Sequence, residues 1–158
     1  MGHLVHSWII LRCHTFGSLK MFNQKLFNEN DARAREKAKL LLSNNFIVKD
    51  NPDDYGVDLI CYRKCDNKKF YVEVEVKLLW SGQKFPWSDI NILGRKEKYF
   101  KVPNTMMLMF NTDLTSCFIV SGKTILESPK VEVSNYRNPS GEMFFKVPYT
   151  KMIHHKNI

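Results

Sequence analysis

The eight residues 70–77, FYVEVEVK, constrain the fold of this chain more than any other segment. Successive side chains of a β-strand point to opposite faces, so the three valines share one face, and the two glutamates share the other with Lys77 and Tyr71. The valine face needs a hydrophobic core to cover it, whereas the charged face is typical of a strand with one side in solvent. The alternation therefore predicts a strand here, within a sheet that has a core on its valine side.

A second strand precedes this one and is predicted to pair with it. Residues 57–62, VDLICY, form an apolar run, and the polar residues 66–69 favour a turn, so the two strands are predicted to form a β-hairpin. Asp58 lies between apolar neighbours in this run. Burying a carboxylate costs free energy unless a cation or hydrogen-bond donors compensate it. A metal ion bound by Asp58 and Glu75 would supply that cation.

The clearest helix is predicted at residues 28–46, NENDARAREKAKLLLSNNF. Asn28 is expected to cap its N-terminus, and Asp31 three residues later would complete a capping-box-like pair. Apolar residues recur at the spacing of one buried stripe, namely Ala34, Ala38, Leu41 and Leu42. The polar run 43–45 is expected to end the helix.

The rest of the chain carries signals for further strands and one more helix. The helix is predicted within residues 88–101, around the segment GRKEKYFK. Four apolar runs are predicted as strands, at residues 105–110, 116–121, 131–133 and 144–147. The order of these elements predicts an α/β fold with a central mixed sheet flanked by helices.

Composition limits the class of protein further. The chain has 158 residues, of which 44% are hydrophobic and 13% aromatic, so it can bury one core, and intrinsic disorder is excluded as its main state. We assign residues 22–150 to a single domain, 1–21 to an N-terminal extension of uncertain role and 151–158 to a C-terminal tail. The net charge of +8 favours a polyanionic partner such as nucleic acid no more than it favours plain solubility.

Four cysteines, Cys13, Cys61, Cys65 and Cys117, are too few for a disulfide scaffold in a chain of this length. The apolar run at residues 4–11 is too short to span a bilayer and has no basic segment before it. We therefore expect an intracellular protein with reduced thiols and no membrane partner. Cys61 and Cys65 lack the second pair that a zinc ribbon needs, so free thiols are favoured over a metal site there.

The two predicted strands resemble the PD-(D/E)xK nuclease superfamily. The resemblance rests on residues 55–60, YGVDLI, followed by residues 72–77, VEVEVK, and it covers roughly residues 28–120. The helix before them and the strand start at 45–48 lie where the restriction-endonuclease-like αβββαβ core of that superfamily would have them. Within the superfamily the chain is most similar to archaeal-type Holliday junction resolvases and to phage-encoded nucleases like them.

The resemblance implies a catalytic trio and a metal. Asp58 and Glu75 would be the metal-binding carboxylates, the backbone carbonyl of Val76 would complete the site, and Lys77 would be the catalytic lysine. Mg²⁺ is the expected cofactor, with Mn²⁺ able to substitute, because hard cations prefer oxygen ligands. Such a metal lowers the pKa of a bound water and neutralises charge on a scissile phosphate, while Lys77 would position the attacking water.

Resolvase-like members of the superfamily often carry a glutamate on the first helix, and this chain departs from that pattern. The corresponding position is Ala34. Asp31, one turn earlier on the same face, could take the role, and the alternative is that it serves only as a helix cap. Glu73 shares the face of Glu75 and could assist the metal-binding residues, or it could be a plain surface glutamate.

Basic and aromatic residues follow the lysine strand and are candidates for DNA binding. The predicted contacts are Arg95, Lys96 and Lys98 on the second helix and Gln83 and Lys84 in the loop before it. The alternative is an amphipathic surface helix that buries Tyr99 and Phe100.

Together these features predict a Mg²⁺-dependent DNA endonuclease, structure-selective like a Holliday junction resolvase, in recombination, repair or phage DNA processing. The resemblance implies a homodimer acting on branched or double-stranded DNA. Two alternatives stay open: a non-catalytic nucleic-acid-binding protein on the same fold, and a small restriction-type endonuclease with sequence specificity.

Overall fold

The computed structural model describes residues 24–54, 56–134 and 138–158. The N-terminal extension assigned to residues 1–21 lies outside the described residues. Helix α1, Gln24–Leu42, already includes Asn28, so the predicted capping box formed by Asn28 and Asp31 is wrong. The helix ends where the polar run was expected to end it. Its predicted stripe is confirmed, with the side chains of Ala34, Ala38 and Leu42 buried and that of Leu41 half-buried.

A six-stranded mixed sheet forms the centre of the molecule. Its strands are β1 (Phe46–Asp50), β2 (Leu59–Arg63), β3 (Lys69–Val76), β5 (Thr105–Phe110), β6 (Ser116–Ser121) and β9 (Ile153–Lys156), in the order β1-β2-β3-β5-β6-β9. Among the described residues of this sheet, the β3–β5 pair is parallel and the other four strand pairs are antiparallel. The predicted hairpin of β2 and β3 is confirmed, with Leu59 opposite Val72. The α/β fold with a central mixed sheet flanked by helices is confirmed as well.

A second sheet of three strands was not expected. It consists of β4 (Asp89–Leu93), β8 (Glu142–Pro148) and β7 (Lys130–Val133), in the order β4-β8-β7. Strand β4 precedes the segment GRKEKYFK, and its alternating Ile90 and Ile92 are buried on pairing with β8. The helix predicted around GRKEKYFK is present at that segment. The helical part is short: a 3₁₀ turn at Gly94–Lys96 followed by α2, Glu97–Phe100.

The C-terminal residues are part of the central sheet. Strand β9 pairs with β6, so that His154 lies opposite Phe118. The backbone N–H of Ile158 donates to the carbonyl of Thr115 at 3.1 Å. The prediction of a separate tail at residues 151–158 is thus wrong. A short helix, α3 (Gly122–Leu126), follows β6, and Ser121 caps it by accepting a hydrogen bond from the Thr124 N–H.

Both faces of the central sheet are covered. Helix α1 packs on the valine face of β3, and the three-stranded sheet packs on the opposite face around Met107, Met109 and Phe145. Glu73 and Glu75 lie beside Met107 and Met109 on neighbouring strands. A charged face of this kind is typical of a strand with one side in solvent, but here it is covered: Glu73 is 2% exposed and Glu75 is 5% exposed. Two carboxylates are therefore buried in the joint between the two sheets.

Candidate active site

Asp58 lies directly before β2, where the chain enters the sheet. Its Oδ2 accepts a hydrogen bond of 2.8 Å from the backbone N–H of Val74 on β3. Burial raises the pKa of the Asp58 carboxyl to about 8, and the nearby charge of Glu73 raises it further than the Val74 hydrogen bond lowers it. The donor expected for this carboxylate is present. The high pKa means that a further cation would be needed to ionise the group fully at neutral pH.

Glu75 and Lys77 form a close pair at the end of β3. The Lys77 Nζ lies 2.7 Å from Glu75 Oε1, and it also donates to the backbone carbonyl of Asn91 on β4 at 2.9 Å. Burial pushes the pKa of Glu75 upward, but the ammonium groups of Lys77 and Lys96 outweigh it and hold the pKa below its ordinary value. Glu75 is therefore a buried, ionised carboxylate.

Lys96 is a buried cation that the sequence did not reveal as part of this cluster. Its Nζ lies 2.8 Å from Glu73 Oε1 and 3.4 Å from Glu75 Oε2, and the residue is 3% exposed. Burial opposes the charge of its ammonium, but Glu73 and Glu75 more than compensate and raise its pKa. The second oxygen of Glu73, Oε2, is buried with no hydrogen-bond partner within the described part of the chain. An acceptor is thus left open inside the cluster.

Asp31 approaches the cluster from α1. It is half-buried and pairs with Arg35 one turn later, at 3.5 Å between Oδ2 and Nη1. Burial raises the pKa of the Asp31 carboxyl, and the charges of Lys96 and Glu75 act on it as well. The structure thus brings Asp31 within electrostatic range of the other carboxylates, on the helix where the sequence predicted an acidic residue.

The charges of the cluster suit a divalent cation. Its ionisable groups are Asp31, Asp58, Glu73, Glu75, Lys77 and Lys96. Four carboxylates, two ammonium groups and the Arg35 guanidinium that pairs with Asp31 sum to −1 when all are ionised, so the cluster attracts a cation. Carboxylate oxygens are the ligands that Mg²⁺ prefers, and the open oxygen of Glu73 is one more such donor. Among residues 24–54, 56–134 and 138–158, however, no three His, Cys, Asp or Glu side chains are already gathered as a metal site.

The predicted DNA contacts on the second helical segment differ in their exposure to solvent. Lys96 is buried in the carboxylate cluster, so its prediction as a DNA contact is wrong: the 3₁₀ turn directs its side chain inward. Arg95 is 57% exposed and pairs with Glu142 at 3.1 Å, and Lys98 is exposed over the ring of Tyr99. For these two residues DNA binding stays a prediction.

The loop before β4 offers one exposed cation, Lys84. Its neighbour Gln83 is tied into the protein, since its Nε2 donates to Thr115 Oγ1 at 3.0 Å and its Oε1 accepts from the Asn157 N–H at 2.9 Å. Gln83 therefore links the loop to the last strand of the sheet. A role for Lys84 or Gln83 in DNA binding stays a prediction, as does the role of the Val76 carbonyl as a metal ligand.

Lys96 is the site residue that sequence reasoning misassigned, whereas Glu73 was named beforehand as a possible partner of the metal-binding residues, with a plain surface glutamate as the alternative. The signal for Glu73 was its alternation with Glu75, which places both side chains on one face of β3. Lys96 gave no usable signal, because GRKEK has lysines at neighbouring positions and only the turn at Gly94–Lys96 decides which one enters the core.

Comparisons with known proteins assign the chain to no family. No family model matches the chain, and no curated protein matches it. A solved structure of a nuclease from a fusselovirus is similar, with a TM-score of 0.47, 14% sequence identity, and coverage of 89% of this chain and 90% of that one. Within the described ranges no helix is both long and apolar enough to cross a membrane.

Proposed function

We propose that the protein is a metal-dependent nuclease that hydrolyses phosphodiester bonds of DNA. The observation that carries the proposal is the buried cluster at adjoining ends of β2 and β3. Asp58 lies directly before β2, and Glu75 lies near the end of β3, the other strand of the same β-hairpin. The Lys77 Nζ lies 2.7 Å from Glu75 Oε1. Buried carboxylates beside a lysine at strand ends suit phosphodiester hydrolysis better than they suit stability, because burying charge is costly.

The residues of the cluster would divide the work. Asp58, Glu75 and the Val76 carbonyl would hold Mg²⁺, which supplies a bound water of lowered pKa and a positive charge for the phosphate. Lys77 is held by Glu75 and by the Asn91 carbonyl, so its ammonium is fixed in position for a hydrogen bond to the attacking water or to a phosphate oxygen. Asp31 would add negative charge from the helix side.

The finer proposal is a structure-selective endonuclease. The resemblance to resolvases favours branched DNA, a homodimer and a role in recombination, repair or phage DNA processing, with Mn²⁺ able to replace Mg²⁺. A panel of labelled linear, nicked, flapped and four-way-junction DNAs, each with Mg²⁺, Mn²⁺ or EDTA, would test substrate and metal together. Defined fragments from a plasmid would instead point to a restriction-type enzyme.

The decisive variants are Asp58→Asn and Lys77→Met. Each is expected to lower metal-dependent cleavage by at least about 100-fold, because each removes a group that would act on the reacting phosphate. Matched controls are Asp113→Asn and Lys123→Met, which change exposed residues outside the cluster and should retain activity. Circular dichroism would establish that all four variants fold. Undiminished cleavage by either decisive variant, or equal cleavage in EDTA, would refute the proposal.

A non-catalytic nucleic-acid-binding protein is the second candidate. It is favoured by the Lys96 ammonium, which already neutralises part of the charge of Glu73 and Glu75 without any metal. In that case DNA would bind equally well with Mg²⁺ and with EDTA, and no member of the substrate panel would be cleaved.

A further inference from the structure

The turn that joins β2 to β3 concentrates positive charge. Residues 63–69, called the hairpin tip below, contain four cations and one acid, a net charge of +3 in seven residues, whereas the whole chain of 158 residues carries +8. The cations are Arg63, Lys64, Lys68 and Lys69. Apart from the half-buried Arg63, all residues of the tip are exposed.

The single acid of the tip is used internally. Asp66 accepts hydrogen bonds from the Arg63 guanidinium, with Nε at 2.9 Å, and from the Lys68 N–H at 3.1 Å. These bonds hold the pKa of Asp66 below its ordinary value. The lysines of the tip have no ion-pair partner among the described residues. Their charge is therefore available to a ligand.

The tip is also a well-defined scaffold. The Arg63 N–H donates to the Lys68 carbonyl at 2.9 Å, and the Lys64 N–H donates to the Asn45 carbonyl at 2.9 Å. Asn67 takes a left-handed conformation with φ of 58°, which asparagine tolerates better than most residues. The turn is thus fixed both internally and against the start of β1.

Several of these cations make cation–π contacts with aromatic rings. The Arg63 guanidinium and the Lys68 ammonium lie 5.3 and 5.7 Å from the centre of the Phe70 ring, and Lys69 lies 5.0 Å from that of Tyr71. Cation–π contacts of this kind favour defined positions for long side chains. A ligand would therefore meet an ordered array of charges.

We propose that the hairpin tip binds the phosphodiester backbone of duplex DNA, as a second contact surface separate from the carboxylate cluster. Lys69 and Glu75 are six residues apart on β3, roughly 20 Å at about 3.3 Å per residue. That separation equals about six base pairs at 3.4 Å each. The tip has no exposed large hydrophobic side chain that would enter a lipid surface. Its lysines would contact phosphate groups, and such contacts do not depend on the DNA sequence.

The salt dependence of DNA binding tests this surface directly. The variant Lys64→Gln/Lys68→Gln/Lys69→Gln is compared with a control, Lys123→Gln/Lys151→Gln/Lys156→Gln, which removes three exposed lysines elsewhere. Binding of a 30-base-pair duplex is measured in EDTA at several salt concentrations. Each lost phosphate contact should reduce the slope of log K against log[salt] by about 0.9, so the tip variant should lose about 2 to 3 and the control much less. Equal slopes for the two variants would overturn the proposal.

The exposed thiol of Cys65 provides a second, local readout at the tip. Cys61 and Cys117 are buried, and Cys13 lies outside the described residues, so a Cys13→Ser background leaves Cys65 as the accessible thiol within the described part. Duplex DNA should slow its alkylation several-fold, and inorganic phosphate at the same phosphate concentration should not. An unchanged rate with DNA, or protection only by anionic vesicles, would contradict a DNA surface.

The outcome is separable from that of the proposed function, with which it shares only the nucleic acid partner. Protection of Cys65 without cleavage of any substrate would leave the tip established and the nuclease proposal refuted. Metal-dependent cleavage together with equal salt slopes would support the nuclease proposal and refute DNA binding by the hairpin tip.

Discussion

Lys96 places a full positive charge in the interior, 2.8 Å from Glu73 and 3.4 Å from Glu75. A buried ion pair contributes little net stability, since the cost of removing both ions from water offsets their attraction, but losing one partner leaves an uncompensated charge. The pair is therefore far more costly to break than its net contribution suggests.

Replacing Lys96 with Met should lower the free energy of unfolding by about 3–5 kcal/mol, because Glu73 and Glu75 would lose their shared counter-ion. Urea denaturation measures this. The matched control is Lys130→Met, which removes an ion pair of 2.8 Å with Glu97 at the surface and should cost about 1 kcal/mol or less. If Lys96→Met were as stable as the control, the buried pair would not have the role given to it.

The buried thiols make stability depend on alkaline pH. Burial raises the pKa of Cys61 to about 11 and that of Cys117 to about 12, from an ordinary value of 9.0. Above pH 9 the unfolded chain releases protons that the folded chain keeps, so the free energy of unfolding falls as pH rises, by at most about 1.4 kcal/mol per pH unit for each thiol. Below pH 9 the thiols contribute no pH dependence.

Denaturant unfolding at pH 8, 9, 10 and 10.5 would measure that fall. The Cys61→Ala/Cys117→Ala variant should show a smaller decline than the unsubstituted protein, whatever constant stability it loses from the missing side chains. Cys65→Ala changes an exposed thiol and should leave the decline unaltered. Parallel declines in all three proteins would show that these thiols titrate alike in the folded and unfolded states.

At the level of elements, Gly94 connects β4 to the 3₁₀ turn that carries Lys96. A Cβ added there would lie 2.8 Å from the Met143 carbonyl oxygen of β8. Gly94 is needed at this position because the backbones of two elements approach so closely.

Gly94→Ala should therefore destabilise the protein by about 1–3 kcal/mol, the usual cost of forcing extra volume into a packed region. The shift would also disturb Lys96 two residues later. Thermal unfolding compared with Ser81→Ala, which changes an exposed residue, gives the measurement. An unchanged melting temperature would mean that the β8 backbone can shift to accommodate the added methyl group without loss of stability.

The sequence predicted those elements whose pattern is local. The bounds of β5 and β6 are those predicted, because each is a continuous apolar run between polar turns. Strand β4 was not predicted, since the alternation of Ile90 and Ile92 is too short to stand out and its partner β8 is some 50 residues away. Strand β9, Ile-His-His-Lys, has no apolar pattern, and its pairing with β6 alone defines it.

For the molecule as a whole, the net charge of +8 conceals two opposite regions. Glu73 and Glu75 of the candidate site lie inside, between the two sheets, and lysines cover the hairpin tip at the other end of β3. Asp58, Glu75 and Lys77 could be proposed from sequence because they lie on neighbouring strands of one hairpin. The contribution of Lys96 could not, because it depends on how the second sheet packs against the first.

The hydrogen bond from Lys77 to the Asn91 carbonyl crosses the joint between the two sheets. Any opening of the smaller sheet away from the larger one would break this bond and leave Glu75 as the remaining hydrogen-bond partner of the Lys77 ammonium among the described residues. Fluctuations of the smaller sheet, β4, β7 and β8, would thus move the Lys77 side chain. The mobility of the Lys77 side chain therefore depends on how tightly the two sheets are packed together.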